Sequence, residues 1–198
     1  MSLTVLVGNP RPGSRTSAVA LSAARAVIRA ALPPGEPDVV DLAGLAPLLL
    51  APRPPAVVAD AVDRVLAADV LLVASPTYKA TYTGLLKVFL DRIDTGALRG
   101  TVALPLLLTG SPAHTLAVEV HLRPLLVELG ATVPTPGLAV SQGDLPRLEE
   151  IVTAWAARVA PAVRAGVRAP RLLPSPDNPE GPTPPLGPLP PRNEEVRT

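Results

Sequence analysis

A chain of 198 residues that is 47% apolar can bury one core of ordinary domain size, and with one Trp, two Tyr and one Phe that core must be built from Ala, Val and Leu. Eighteen basic against 17 acidic residues, net +1 and with no dense Lys/Arg run, leave no electrostatic footprint for a nucleic acid or a membrane surface. The lack of cysteine excludes a disulfide framework and a thiol nucleophile, and two histidines alone speak against a zinc or other metal site, so redox chemistry here requires a bound cofactor.

Residues 1–4 lead straight into an apolar run without a basic leader, so no signal peptide is expected and a cytoplasmic location is. The longest apolar stretch, 102–108 with Pro105 inside it, is far shorter than the roughly 20 residues of a membrane span. The first strand, 3–7, is a Leu and β-branched run of the kind buried on both faces of a parallel sheet. It breaks into Gly8-Asn9-Pro10-Arg11-Pro12-Gly13-Ser14-Arg15-Thr16-Ser17, where short polar donors and the Arg11 guanidinium lie between a strand end and a helix start, an arrangement suited to an anion. Neither GxGxxG nor GxxxxGK[ST] is present, which leaves a monophosphate as the economical ligand; the alternative is a plain turn in which Ser14 caps the helix.

Over 17–32, Ala18, Leu21, Ala24, Val27, Ile28 and Leu32 recur at helical spacing with Arg25 and Arg29 off the stripe, and Pro33-Pro34-Gly35 ends the run. A second strand is predicted over 38–42, a Pro-rich connection over 47–55 takes no assignment, a second helix covers 57–68, and 70–74 reads as the clearest buried strand. The polar loop Ser75-Pro76-Thr77-Tyr78-Lys79-Ala80-Thr81-Tyr82-Thr83-Gly84 gathers both tyrosines ahead of a helix over 85–93. Strand 101–108 contains Pro105, which implies a bulge or an edge, and is followed by a third polar turn, Thr109-Gly110-Ser111-Pro112-Ala113-His114. A helix over 115–129 should be kinked or split at Pro124 and end at Gly130. A fifth strand over 133–140 starts irregularly at Pro134 and Pro136, and the fifth helix, 145–163, carries the stripe Leu148, Ile151, Val152, Trp155, Val159 and Val163. Prolines then crowd the chain, so 1–167 reads as one domain and 168–198 as a disordered or polyproline-like tail.

Five strands alternating with five helices predict an α/β three-layer sandwich around a five-stranded parallel sheet. Right-handed crossovers place the loops after strands one, three and four on one rim, where ligands of such sheets bind.

Three blocks on that rim, 8–17, 75–87 and 109–118, carry a resemblance to the NADPH-dependent FMN reductase family of flavodoxin-like proteins, particularly the reductases that supply flavin to two-component monooxygenases. Asn9 stands where the family usually has Ser, and Ser111 where it often has a second glycine. The resemblance implies that Asn9, Arg11, Ser14, Thr16 and Ser17 hold the FMN phosphate, that Pro76, Thr77, Tyr78 and Lys79 line the ring, and that Thr109, Gly110 and Ser111 meet its pyrimidine edge. It further implies hydride transfer from NAD(P)H to FMN with no side-chain acid or base, hence no catalytic residue is named. Implied partners are a second copy, as homodimer or homotetramer through Tyr82, Leu85, Leu86 and Phe89, and a flavin-dependent monooxygenase. In that branch the helix after the third loop, here 117–122, can carry a π-bulge linked to flavin release.

The plainer readings are kept beside these. Tyr78 and Tyr82 would pack at a subunit interface, Lys79 would be a solvated loop charge rather than an NADPH-phosphate contact, and His114 and His121 would be a loop donor and a helix-surface residue. Asp91 and Asp94 read as solvated charges at a helix end. The functional alternatives are an FMN-retaining reductase of quinones, azo dyes or metal oxyanions, and a non-enzymatic flavin-binding electron carrier, against which the +1 balance speaks.

Overall fold

The computed structural model describes residues 1–51 and 53–168; the reading of 168–198 as a tail falls outside them apart from residue 168, the last of the fifth helix. Five parallel strands, β1 (Leu3–Val7), β2 (Asp38–Asp41), β3 (Val70–Pro76), β4 (Val102–Thr109) and β5 (Leu138–Ser141), form one sheet in the order β2-β1-β3-β4-β5. Alternation along each strand sends Val5, Val7, Leu72 and Leu104 to the face covered by helices α1 (Arg15–Ala31) and α5 (Leu148–Arg168). Leu6, Leu71, Val73 and Leu107 go to the opposite face, covered by α2 (Ala56–Leu66), α3 (Gly84–Leu90) and the segment ending in α4 (Arg123–Glu128). Both faces are closed, which is why β3 and β4 are apolar and buried at nearly every position rather than alternating. Small residues do the close packing, Ala20, Ala23 and Ala24 of α1 and Ala156 and Ala160 of α5, while the lone Phe89 is fully buried in the other layer.

The element order agrees with the sequence pattern, and the differences have local causes. Helix α1 begins at Arg15 because the Ser14 hydroxyl accepts from Ser17 N at its start, and its buried stripe runs through Thr16, Val19, Ala20, Ala23 and Val27; Ala18 is exposed. Strand β3 continues through Ser75 and Pro76 because β4 supplies Leu107 and Leu108 as partners. Pro105 lies in an interior strand without breaking it. Ala103 N donates to Thr132 O, and N–H groups alternate sides along a strand, so the Pro105 nitrogen faces the β5 side in the gap before pairing with β5 resumes at Leu106.

The predicted helix over 115–129 is divided into a π-helical turn (Val118–Leu122) and α4, and a separate 3₁₀ turn (Pro112–His114) precedes it. Pro124 falls in the first turn of α4, where its missing N–H is cheapest, and Arg123 N reaches back five residues to Val118 O. Glu119 and Arg123 pair across this turn: Glu119 also accepts from Gly137 N at 2.6 Å, and Arg123 donates to the carbonyls of Val133 and Pro134. The Arg123 guanidinium holds the Glu119 carboxyl below the usual carboxylate range, against an opposing effect of burial. No helix among the described residues is long and apolar enough to cross a membrane, and no group of three His, Asp or Glu that could hold a metal occurs among them.

Candidate functional site

The chain leaves β1 toward α1 on one face and β3 toward α3 on the other, so the crevice between their carboxyl ends is the switch point of the sheet. A cleft of about 400 Å³ opens there. Of the predicted residues it brings together Asn9, Arg11, Ser14, Thr16, Pro76, Thr77, Tyr78 and Gly110, and it adds Pro12, Gly13, Arg15, Leu108 and Gln142. Ser17, Lys79, Thr109 and Ser111 do not line it.

The loop after β1 is held by its own side chains. Asn9 is buried, accepting from Arg11 N at 2.9 Å through Oδ1 and donating through Nδ2 to Thr16 Oγ1 at 3.0 Å. The Ser14 hydroxyl accepts from Ser17 N at 3.2 Å, so Ser14 does cap α1. Each hydroxyl accepts inside the loop and keeps its own proton, which leaves Ser14 and Thr16 as oriented donors at the N-terminus of α1. No acidic residue stands in the first turn of that helix. The Arg15 guanidinium, held to Gln142 Oε1 at 3.1 Å, joins Arg11 at this end, and no carboxylate lines the cleft. Two cations without a counter-charge make an anion site.

A buried lattice ties this loop to the one after β3. Thr83 Oγ1 donates to Gly8 O at 2.6 Å and accepts from Leu86 N at 3.2 Å, while Ser75 Oγ accepts from Thr83 N at 3.0 Å and donates to Pro76 O at 2.9 Å. Gly8 must be glycine for α3 to approach: a Cβ there would stand 2.6 Å from Leu86 Cβ. Above the lattice, Tyr78 and Thr81 exchange backbone hydrogen bonds across a tight turn whose central residues, Lys79 (φ 51°) and Ala80 (φ 64°), both take left-handed conformations. That geometry usually belongs to Asn-Gly and costs about 1–2 kcal/mol for each other residue, a strain typical of ligand loops. It lifts Lys79 away from the cleft and leaves Tyr78 half-exposed at its mouth. Beneath Tyr78, Thr77 Oγ1 is buried without a hydrogen-bond partner.

The third loop contributes backbone. The Thr109 hydroxyl is turned into the sheet toward Val140 O, and Ser111 caps the turn Pro112–His114 by accepting from Ala113 N, so their side chains are engaged elsewhere, while Gly110 faces open space in the cleft. The result is a site lined by cations and hydroxyls along the Asn9 to Thr16 loop and by the apolar surfaces of Pro76, Tyr78 and Leu108 along the other loops. No His, Asp or Glu lines it, so it offers no imidazole or carboxyl group for proton transfer and is suited to binding and orienting. Arg15 was within reach of sequence reasoning, four residues after Arg11 in the same loop; Gln142 enters only because β5 ends beside β4.

The family model described as NADPH-dependent FMN reductase matches residues 1–144. An FMN reductase (NADPH) of Escherichia coli strain K12 is 52% identical over 64 residues, 32% of this chain and 34% of that protein. Another from Pseudomonas aeruginosa is 39% identical over 90 residues, 46% of this chain and 48% of that protein. The matched stretches thus span a third to a half of these relatives. Among solved structures, an NADH:FMN oxidoreductase (EMOB, apo form) superposes with a TM-score of 0.72 at 34% identity, covering 83% of this chain and 88% of that one. A flavodoxin, WrbA-like protein from Agrobacterium tumefaciens, at 19% identity and a TM-score of 0.57 over 84% of this chain and 99% of its own, shares the fold.

Proposed function

The chain belongs to the NADPH-dependent FMN reductase family and has its flavodoxin-like fold, and from that premise we propose that it catalyses NAD(P)H-dependent reduction of FMN in the switch-point cleft. The observation that carries the proposal is the match between the cleft's lining and FMN: two guanidiniums with the Ser14 and Thr16 hydroxyls and no carboxylate on one side, and on the other apolar surface with the Thr77 hydroxyl, buried without a hydrogen-bond partner. When bound, FMN supplies the hydride-accepting ring.

The chain's own residues bind and orient. Arg11 and Arg15 with the hydroxyls of Ser14 and Thr16 take the phosphate, Asn9 holds the loop shape that aims them, and the N–H groups of the first turn of α1 add to the field. Ser17 serves through its main chain as part of the capped turn. Pro76 and Tyr78 provide one wall, Thr77 a hydrogen bond, and Gly110 a surface that a planar ring can approach; Lys79, Thr109 and Ser111 contribute backbone or rim.

We further propose that FMN is picked up oxidised and handed on reduced to a flavin-dependent monooxygenase in the cytoplasm. The π-helical turn at Val118–Leu122, in the region where the flavin-supplying branch carries one, supports that reading. Self-association would use Tyr78, Tyr82 and Leu85, since Leu86 and Phe89 are fully buried in the core and cannot serve it. The test is oxidation of NADH and of NADPH against added FMN, with flavin content followed through dialysis. Saturation by free FMN and loss of colour on dilution are expected. A protein that stays yellow and reduces a quinone without added flavin would establish the FMN-retaining alternative.

A further inference from the structure

The two guanidiniums of the switch-point cleft are held there differently. Arg11 belongs to the loop after β1, where its backbone N–H is fixed by Asn9 Oδ1 at 2.9 Å. Arg15 is the first residue of α1 and reaches toward the β5 end of the sheet, donating through Nη1 to Gln142 Oε1 at 3.1 Å. These partners stand 127 residues apart in the chain, and both line the cleft. Gln142 opens the 3₁₀ turn Gln142–Arg147 by which the chain leaves β5. That turn is anchored by its own carboxylate, since Asp144 accepts from Ser141 N at 3.0 Å and from Ser141 Oγ at 2.7 Å. Asp144 is thus spent on the turn, and among the described residues neither Arg15 nor Arg11 has a carboxylate partner.

We propose that Gln142 is a positioning residue of the anion site: it holds the Arg15 guanidinium at the cleft while leaving its charge uncompensated, and so sets the preference for a phosphorylated flavin over an unphosphorylated one. The proposal rests on the reductase reading of the cleft. Three observations carry it. First, an amide oxygen accepts a hydrogen bond without bringing charge, whereas a carboxylate at the same place would pair with Arg15 and compete with the phosphate. Second, Arg15 and Gln142 are both exposed, so the bond between them adds little to folding and its consequence is where the cation stands. Third, Arg15 gives only Nη1 to Gln142, and the rest of its planar fork stays free for phosphate oxygens. A tethered arginine has already given up part of its rotamer freedom, so less is lost when the anion arrives.

Two substitutions separate the acceptor from its neutrality. Gln142→Met keeps the length of the side chain and removes the oxygen; Gln142→Glu keeps the oxygen and adds a charge. Dissociation constants for FMN and for riboflavin are measured by flavin fluorescence on the full chain, for wild type, both variants, Arg15→Met, and Arg15→Met combined with Gln142→Met, with Tm recorded for each. Gln142→Met should raise the FMN dissociation constant by about 3- to 10-fold and leave riboflavin within about twofold, with Tm unmoved. Gln142→Glu should raise it further, because the guanidinium is then neutralised where it stands, again without effect on riboflavin. In the Arg15→Met background, Gln142→Met should change nothing more. Unchanged FMN affinity in both Gln142 variants, equal weakening of FMN and riboflavin, or an effect of Gln142→Met that persists without Arg15 would overturn the proposal. A wild-type chain that binds no FMN defeats the reductase reading and this proposal with it. FMN binding that is weakened by Arg11→Ala but unmoved by the Gln142 variants defeats this proposal alone.

Discussion

Replacing Thr83 by Val keeps shape and removes one hydroxyl, which here joins two loops of the site. That hydroxyl donates to Gly8 O at 2.6 Å and caps α3 by accepting from Leu86 N at 3.2 Å, in a residue 3% exposed. Val leaves a buried carbonyl without its donor, at about 1–3 kcal/mol, and removes an N-cap, at about 1 kcal/mol. The two losses share one oxygen, so the sum is taken as about 2–4 kcal/mol, which for a chain of this size lowers Tm by about 5–15 °C. Urea unfolding of wild type, Thr83→Val and Thr83→Ser reads the effect, and Thr83→Ser, which keeps the oxygen and loses only a methyl, should retain most of the stability. Because the same bond sets the distance between the loop after β1 and the loop after β3, Thr83→Val should also weaken FMN binding, whereas a substitution equally costly but remote, such as Val163→Ala, should not. A stability loss below about 0.5 kcal/mol, or equal losses for Val and Ser, would refute the hydroxyl's role as the tie.

Arg11→Ala should raise the FMN dissociation constant by about 10- to 150-fold, the range for a lost hydrogen bond to a charged group, with riboflavin binding little changed; isothermal titration with both flavins checks it. Gly8→Ala drives a Cβ into Leu86 and should destabilise by about 1–3 kcal/mol in urea unfolding, with a parallel loss of FMN affinity as α3 is pushed from β1. Glu119→Gln tests the π-turn clamp through pH. The Glu119 carboxyl is held below its unfolded value by Arg123 and by Gly137 N, so its contribution is present above about pH 4.3 and fades as pH falls through the depressed value. The variant should therefore be less stable than wild type at pH 7, by about 1–3 kcal/mol, and the gap should close in acid; a gap that is constant with pH would place the effect elsewhere.

What the sequence could and could not disclose follows from the range of the interactions. Strands β1 and β3, helix α5 and the order of loops were legible because burial on both faces, and helical spacing around Trp155 and Val159, are written in neighbouring residues. The split at Pro124 was legible because a missing N–H is a local fact; the π geometry was not, since it depends on Arg123 reaching Val133 and Pro134 across a loop. Ala18 was misplaced on the buried stripe because spacing alone does not say which face packs inward; packing against the sheet and α5 buries Thr16, Val19, Ala20 and Ala23 instead. Thr109 and Ser111 have the composition of ligand residues, yet their hydroxyls are satisfied by Val140 and Ala113, and only coordinates show which partner a hydroxyl has taken.

The same distinction bears on how tightly flavin would be held. The two guanidiniums of the cleft would act on the phosphate, while the side proposed for the ring offers one half-exposed tyrosine, a proline and a glycine, with the chain's other aromatics elsewhere: Phe89 and Trp155 in the core, Tyr82 outside the cleft lining. Affinity is then concentrated in charge-assisted contacts to the phosphate, and the planar surface is left open for a nicotinamide to stack or for the flavin to leave. A site so divided favours a ligand that is recognised firmly by its tail and exchanged as a whole, in keeping with flavin as a carried substrate. It also makes binding sensitive to salt, since the dominant contacts are between exposed charges screened over about 10 Å at 0.1 M ionic strength. In an enclosed, aromatic-clamped pocket the ring would carry the affinity and salt would matter little, so the ionic-strength dependence of FMN binding separates the two architectures.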